Sequence, residues 1–278
     1  MKFSIVTPTR NAFAKLQKCV GSVRGQAGVD YEHIIQDACS TDGTSLWMSS
    51  QTDIIGCAEE DSGMYDAINR GWSKASGDIY AWLNSDEQYL PGTLRAIEKI
   101  FAQYPDVDFI RGNTIIVNAE GAAIAARRGI RLSQRYIANS FLNAYSCALF
   151  FRSGLWDSGL LRFDTQYRYA GDMEMILRLL RARKQYFHMN QYLALFTFDG
   201  ANLSCHPTML EETSAIQRKY GGSSSATVRQ ALLICRYAET LLNGSYRKVS
   251  VTYDYAVDSA PNYRRLSAQA VPGSYKTR

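Results

Sequence analysis

The chain has 278 residues, 46% of them hydrophobic and 21% charged, with a formal net charge of +5. That is enough apolar material for one large folded domain with at most a small appendage, and it excludes a disordered or low-complexity chain. The basic excess is scattered through the second half instead of gathered in a run, which favours anionic partners such as nucleotides, diphosphates or lipid surfaces over nucleic acid.

Taken in order, residues 3–7 read as a strand, 12–23 as a helix, 31–36 as a strand, 44–50 as a short helix and 53–57 as a strand. Residues 63–74 then read as a helix with Met64, Ala67, Ile68 and Trp72 on one side, 78–83 as a strand and 92–104 as a helix. Strands alternating with helices at this spacing imply right-handed βαβ units and a mostly parallel sheet, so the fold class is α/β. The pattern loosens afterwards. Residues 108–112, 114–117 and 146–151 are short strand candidates, 122–126 follows a turn, and 171–183 is an amphipathic helix. Two more helices, 208–220 and 226–242, flank a Gly/Ser hinge at 221–225, and the polar end past Val249 has no strong periodicity and is expected to be poorly ordered.

The six cysteines, Cys19, Cys39, Cys57, Cys147, Cys205 and Cys235, lie far apart without a CxxC pair and read as free thiols in a reducing compartment. The apolar run after Met1 is too short for a secretory leader and no stretch matches a membrane span, so the expected location is the cytoplasm.

In an open α/β sheet, ligands sit at the carboxyl ends of the strands. There the chain places Pro8-Thr9-Arg10-Asn11, Asp37-Ala38-Cys39-Ser40-Thr41-Asp42-Gly43, Glu59-Glu60-Asp61-Ser62-Gly63 and Asn84-Ser85-Asp86-Glu87. All four are polar and three carry carboxylates. Asp37 suits either a turn former or an acceptor for the imide N–H of a pyrimidine base, and Asp42 suits a helix cap. Two adjacent acids at the end of the apolar strand Ile79-Tyr80-Ala81-Trp82-Leu83 resist burial unless a cation lies between them. Asp86 suits either a structural turn or a ligand of Mg²⁺ or Mn²⁺. Asp172 and Glu174, two apart at a helix start, face different sides. His33 reads as structural, His188 as a strand residue near the sheet edge, and His206 as a structural residue or a third metal ligand. The aromatic residues Tyr136, Phe141, Tyr145, Trp156, Tyr167 and Tyr169 read mostly as core, with an exposed subset able to stack on sugar faces.

The segments SIVTPTRN, QDACSTDGT, EEDSGMYDAINRGWSKASGDIYAWLNSDEQYLPG and YRYAGDMEMILRLL, in that order, resemble an inverting family 2 glycosyltransferase of the GT-A fold over roughly residues 1–200. The resemblance implies a nucleotide-sugar donor, with Pro8, Arg10, Asp37, Asp66, Asn69, Ser85 and Asp86 on its site. Asp37 would touch the base, Asp66 and Asn69 would lie near the ribose and sugar, and Asp86 would bind a divalent metal, Mg or Mn, bridging the diphosphate. Asp172 would be the general base. It implies a GT-A domain over 1–205, with 1–112 for the nucleotide-sugar and 113–205 for the acceptor, followed by a helical C-terminal extension over 206–278. The Asp-x-Asp signature is here Asn84-Ser85-Asp86, with Glu87 next door as a secondary ligand candidate beside Asn84. The expected acceptor is a glycan or a lipid-linked glycan of surface-polysaccharide assembly. Arg127, Arg128, Arg131, Arg135, Arg236, Arg247 and Lys248 suggest peripheral contact with the inner face of a membrane. A catalytically inactive nucleotide-sugar-binding scaffold is the alternative. A nucleotidylyltransferase ranks last, since residues 8–11 lack the glycine run that would hold a triphosphate.

Overall fold

The structure, a computed structural model, describes residues 1–200 and 206–273. Its first part alternates strictly: β1 (Lys2–Thr9), α1 (Phe13–Arg24), β2 (Asp30–Asp37), α2 (Thr44–Ser49), β3 (Ile54–Ala58), α3 (Met64–Trp72) and β4 (Ile79–Trp82). These four strands pair in parallel in the order β3-β2-β1-β4. Their carboxyl ends therefore share one edge, as the βαβ spacing predicts.

Beyond β4 the sheet becomes mixed. The chain forms β5 (Gln88–Tyr89), α4 (Thr93–Gln103), β6 (Phe109–Val117), β7 (Ala123–Arg127), α5 (Gln134–Ile137), β8 (Leu149–Arg152), α6 (Gly154–Asp157), α7 (Gly171–Arg181) and β9 (Tyr186–Thr197). β8 inserts antiparallel between β4 and β6, β9 runs parallel to β6, and β5 pairs antiparallel with β9. The strand candidates at 108–112 and 114–117 are one continuous strand, because every residue of β6 is buried; Gly112 and Asn113 cost it only a register shift against β9.

The sheet separates two cores by the two-residue alternation of its strands. On β4, Ile79 and Ala81 face α1 and α4, joining Cys19, Val23, Leu94 and Phe101. Tyr80 and Trp82 face the other way, joining Ile68 and Trp72 of α3 and Met175 and Ile176 of α7. α3 lies unusually close to β1: a Cβ on Gly71 would come within 2.5 Å of Val6 Cγ1.

The extension is helical through α8 (Thr208–Lys219) and α9 (Ala226–Leu242), but the expectation of a disordered end past Val249 is corrected. β10 (Val249–Ala256) and β11 (Tyr263–Val271) form an antiparallel hairpin. Val251, Tyr253 and Tyr255 of β10 are buried while Ser250 and Thr252 are exposed, and the buried face packs on Ile115, Val117, Ala126 and Leu195. Gln88 locks this docking, its amide donating to Ala256 O at 3.2 Å and accepting from Ala256 N at 2.8 Å. Among the described residues, no helix is long and apolar enough to cross a membrane.

Candidate active site

A cavity of about 700 Å³ lies at the carboxyl ends of β1 and β4. Pro8, Thr9 and Arg10 line it from the end of β1, Ala38 from the end of β2, and Asp61–Tyr65 from the loop into α3. Asn84, Ser85 and Asp86 line it from the end of β4, and Arg168, Tyr169 and Asp172 from the start of α7. Six sequence-nominated residues, Pro8, Arg10, Asn84, Ser85, Asp86 and Asp172, thus meet in one space.

The turn after β4 separates its two acids. Glu87 folds inward, where its carboxyl accepts from Asn84 N at 2.8 Å and Ser146 Oγ at 3.0 Å. Burial first, then the charge of Asp86, push the Glu87 carboxyl up to about 8, against the pull of those two donors. It is therefore mostly neutral at pH 7 and takes no part in the cavity wall. Asp86 instead faces the cavity. Burial raises its carboxyl above the usual range, and the nearby Lys15 ammonium, itself paired with Asp199 at 2.7 Å, works in the opposite direction.

Three buried polar atoms of the wall, Thr9 Oγ1, Trp82 Nε1 and Asn84 Oδ1, have no hydrogen-bond partner among the described residues. An unpaired buried group costs about 1–3 kcal/mol, so a polar ligand here would satisfy groups that are otherwise orphaned. Asn84 Oδ1 and the Asp86 carboxylate are hard oxygen donors two residues apart. No cluster of three His, Cys, Asp or Glu side chains suited to a metal occurs among the described residues. That donor set fits Mg²⁺ or Mn²⁺, which take one or two carboxylates and complete their shell with water and phosphate oxygens.

Asp172 opens α7. Its Oδ1 accepts from Tyr65 Oη at 3.3 Å and Met173 N at 2.8 Å, and burial raises its carboxyl above the usual range. Tyr65 can lie there because the neighbour is glycine: a Cβ on Gly171 would come within 2.8 Å of the Tyr65 ring. Glu174 points away from the cavity. It is buried against Tyr220 Oη at 2.6 Å, Lys219 at 2.9 Å and Arg178 at 3.1 Å, fastening α8 to α7.

The other nominated residues stand behind the wall. Asp37 is fully buried and accepts from Ser40 N at 3.1 Å, from Ser40 Oγ and from Ser45 Oγ at 2.5 Å, which fixes the loop that presents Ala38. Asp66 accepts from Ser62 N at 3.0 Å and pairs with Arg70 at 3.1 Å. Asn69 exchanges two 2.9 Å hydrogen bonds with the backbone of Phe163. Asp42 accepts from Phe13 N at 2.9 Å and Thr44 Oγ1 at 2.6 Å, tying α1 to α2. Among the histidines, His33 bonds Thr7 Oγ1 at 2.8 Å in the core, and the ring of His206 stacks on Tyr169 at 4.2 Å. The sequence reading passed over Asp61, Tyr65, Lys15 and Arg168 as wall residues. Only the Tyr65/Gly171 fit had a local trace, in the glycine directly before Asp172.

The model of "Glycosyl transferase family 2" matches residues 4–159. A PGL/p-HBAD biosynthesis glycosyltransferase of Mycobacterium bovis is 28% identical over 185 residues, 63% of this chain and 68% of that protein. A putative teichuronic acid biosynthesis glycosyltransferase of Bacillus subtilis is 35% identical over 91 residues, 31% of this chain and 36% of that protein. In shape, the chain is similar to S. aureus TarS, residues 1–349, crystallised with UDP-GlcNAc. The TM-score is 0.64 at 16% identity, covering 87% of this chain and 73% of that one, which supports the fold.

Proposed function

This chain belongs to glycosyl transferase family 2, and on that premise we propose that it moves a sugar from a UDP- or dTDP-linked donor to an acceptor hydroxyl with inversion. The observation that carries this reading is the convergence of Asp86 and Asp172, from two separate loops, on one cavity with three orphaned polar atoms in its wall. The nucleotide-sugar found with TarS and the teichuronic acid and PGL pathways of the relatives support the donor class and a glycan or lipid-linked glycan acceptor.

The donor diphosphate would lie toward Asn84, Ser85 and Asp86, with the nucleoside against Pro8–Arg10 and the loop that Asp37 holds. A divalent ion held by Asp86 and Asn84 Oδ1 would offset charge on the departing diphosphate. Asp172 takes the acceptor hydroxyl's proton as that oxygen attacks from the face opposite the leaving group, so no covalent intermediate forms. Burial raises the basicity of this carboxyl, while the Tyr65 hydroxyl and the Met173 N–H fix its orientation. Tyr65 is thus a positioning residue.

We place the reaction at the inner face of a membrane. Phe141, Ile234, Tyr237 and Leu242 are exposed, as are Arg131, Arg135, Arg247 and Lys248, a composition that suits peripheral contact with anionic lipid. The test of the activity needs no acceptor: a panel of UDP-, dTDP- and GDP-sugars is screened for slow hydrolysis and for binding by calorimetry. UDP- or dTDP-sugars should bind and turn over. Preference for GDP, or no binding of any nucleotide-sugar, sinks the proposal.

A further inference from the structure

A second cavity, of about 130 Å³, opens where the C-terminal extension meets the sheet, and its wall shares no residue with the first. Arg111 comes from β6, Arg127 and Arg128 from the end of β7, and Arg236 from α9, with Tyr145 and Tyr246 beside them. No aspartate or glutamate lines it. Arg111 is 1% and Arg236 5% exposed, and neither forms a salt bridge among the described residues.

Backbone oxygens meet part of their hydrogen-bonding capacity. Arg111 donates to Ile130 O at 2.6 Å and Asn143 O at 3.1 Å, and Arg236 to Phe141 O at 2.7 Å and to Ser140 Oγ. Carbonyl dipoles do not cancel two full charges in a low-dielectric wall. Burial above all holds both groups down to about 10; Arg236 adds to this at Arg111 against Tyr186, and Arg127 adds to it at Arg236 against Tyr246 and Glu239. Arg111 Nε and Ser245 Oγ, both in this wall, are buried without a partner. The chain also makes room for the buried cation: a Cβ on Gly129 would fall 1.7 Å from Arg111 Nη2, so only glycine fits there.

We propose that this cavity is a binding site for a phosphate group, separate from the donor cavity. Guanidinium forks match phosphate oxygens, and an anion carrying more than one charge neutralises several arginines at once. The cavity has room for a tetrahedral anion and its first substituent, and it opens past Phe141, Leu233 and Tyr237, which are 52%, 38% and 55% exposed. Its wall is built from the sheet, from the loop before Ser146 and from the extension, so bound phosphate fastens those three together. The phosphate is either free or the head of an amphiphile, and both present the same chemistry to the arginines.

The test titrates the full chain with inorganic phosphate and, separately, with short-chain phosphatidic acid below its aggregation limit, at ionic strength matched with chloride. Phosphate should bind saturably, raise the unfolding temperature, and still bind when UDP is saturating. Arg128→Gln and Arg236→Gln should each weaken it roughly tenfold or more, the loss of one charged hydrogen bond. Arg128 makes no side-chain hydrogen bond among the described residues, so its variant tests the site even if Arg236→Gln folds poorly. Tighter binding of the amphiphile assigns a lipid source, and tighter binding of inorganic phosphate a free one; both support the site. Phosphate acting no differently from chloride, equal binding by Arg128→Gln, or displacement by UDP would overturn it.

Discussion

Asp86 and Glu87 are neighbours in one turn, yet one faces solvent-filled space and the other is sealed beneath it. The sequence question of how adjacent acids are tolerated is answered without invoking an ion for both, because Glu87 takes up a proton. The sign follows: the unfolded carboxyl ionises near 4.5 and the folded one near 8, so its contribution to stability is complete below 4.5 and is lost as pH rises toward 8. Glu87→Gln should flatten the fall in unfolding midpoint across that window, with the Ser146 hydroxyl turning to accept from the new amide. Denaturant titrations at several pH values check this, and an unchanged slope would show that Glu87 is ionised in the folded protein. Asp172→Asn keeps shape and removes basicity, so donor affinity should hold while transfer drops by roughly 10²–10⁴. Glu174→Gln should leave transfer far less affected, since Glu174 faces α8. Chelation should stop transfer by the wild-type protein without lowering its unfolding temperature, and Mg²⁺ or Mn²⁺ should restore it; chelator-insensitive transfer would remove the metal from the scheme. Asp86 and Asp172 were legible as residues of the cavity wall, Asp86 because it follows a readable strand and Asp172 because the family resemblance singles out the start of its helix. Asp61 and Tyr65 were not, since their place in the wall depends on how the loop into α3 folds across to α7.

At the scale of elements, the parallel half was legible because each helix and strand there carries its own period. The mixed half was legible only in part: β6, β8 and α7 fall on expected elements, while β5 and β9 do not. β9 is half exposed along its first residues and buried only near its end, so it lacks one clean pattern. β10 does alternate, in VSVTYDYA, but its partner β11, YRRLSAQAV, is mostly exposed and gives no matching signal. A hairpin whose second strand is polar reads as a tail. Its seat against α1 is demanding: a Cβ on Gly21 would come within 2.1 Å of Asp258 O and 2.6 Å of Ala260 O, both backbone. In a free helix Gly→Ala gains about 0.5–1 kcal/mol. Here the clash should prevail, and Gly21→Ala should destabilise the full chain by roughly 1–3 kcal/mol, the scale of overpacking, read as a lower urea midpoint. A stabilised variant would mean that the hairpin turn does not rest on α1.

At the scale of the whole molecule, the extension is part of the body. α8 is fastened by Glu174, α9 closes the arginine cavity, and the hairpin covers an apolar patch of β6, β7 and β9. Ending the chain at residue 248 should expose Ile115, Val117, Ala126 and Leu195, at about 1.5–3 kcal/mol for each large side chain uncovered. The shortened protein should accumulate as aggregate or unfold at a clearly lower temperature, judged by soluble yield and thermal melting. The Gln88–Ala256 pair also sets a timetable. It joins residues 168 positions apart, and such a contact is reached only after the intervening chain has closed a long loop. During synthesis, at about 5–20 residues per second, β5 must wait on the order of ten seconds for the strand that seals it. Through that interval the apolar patch that the hairpin covers on β6, β7 and β9 stays open to solvent.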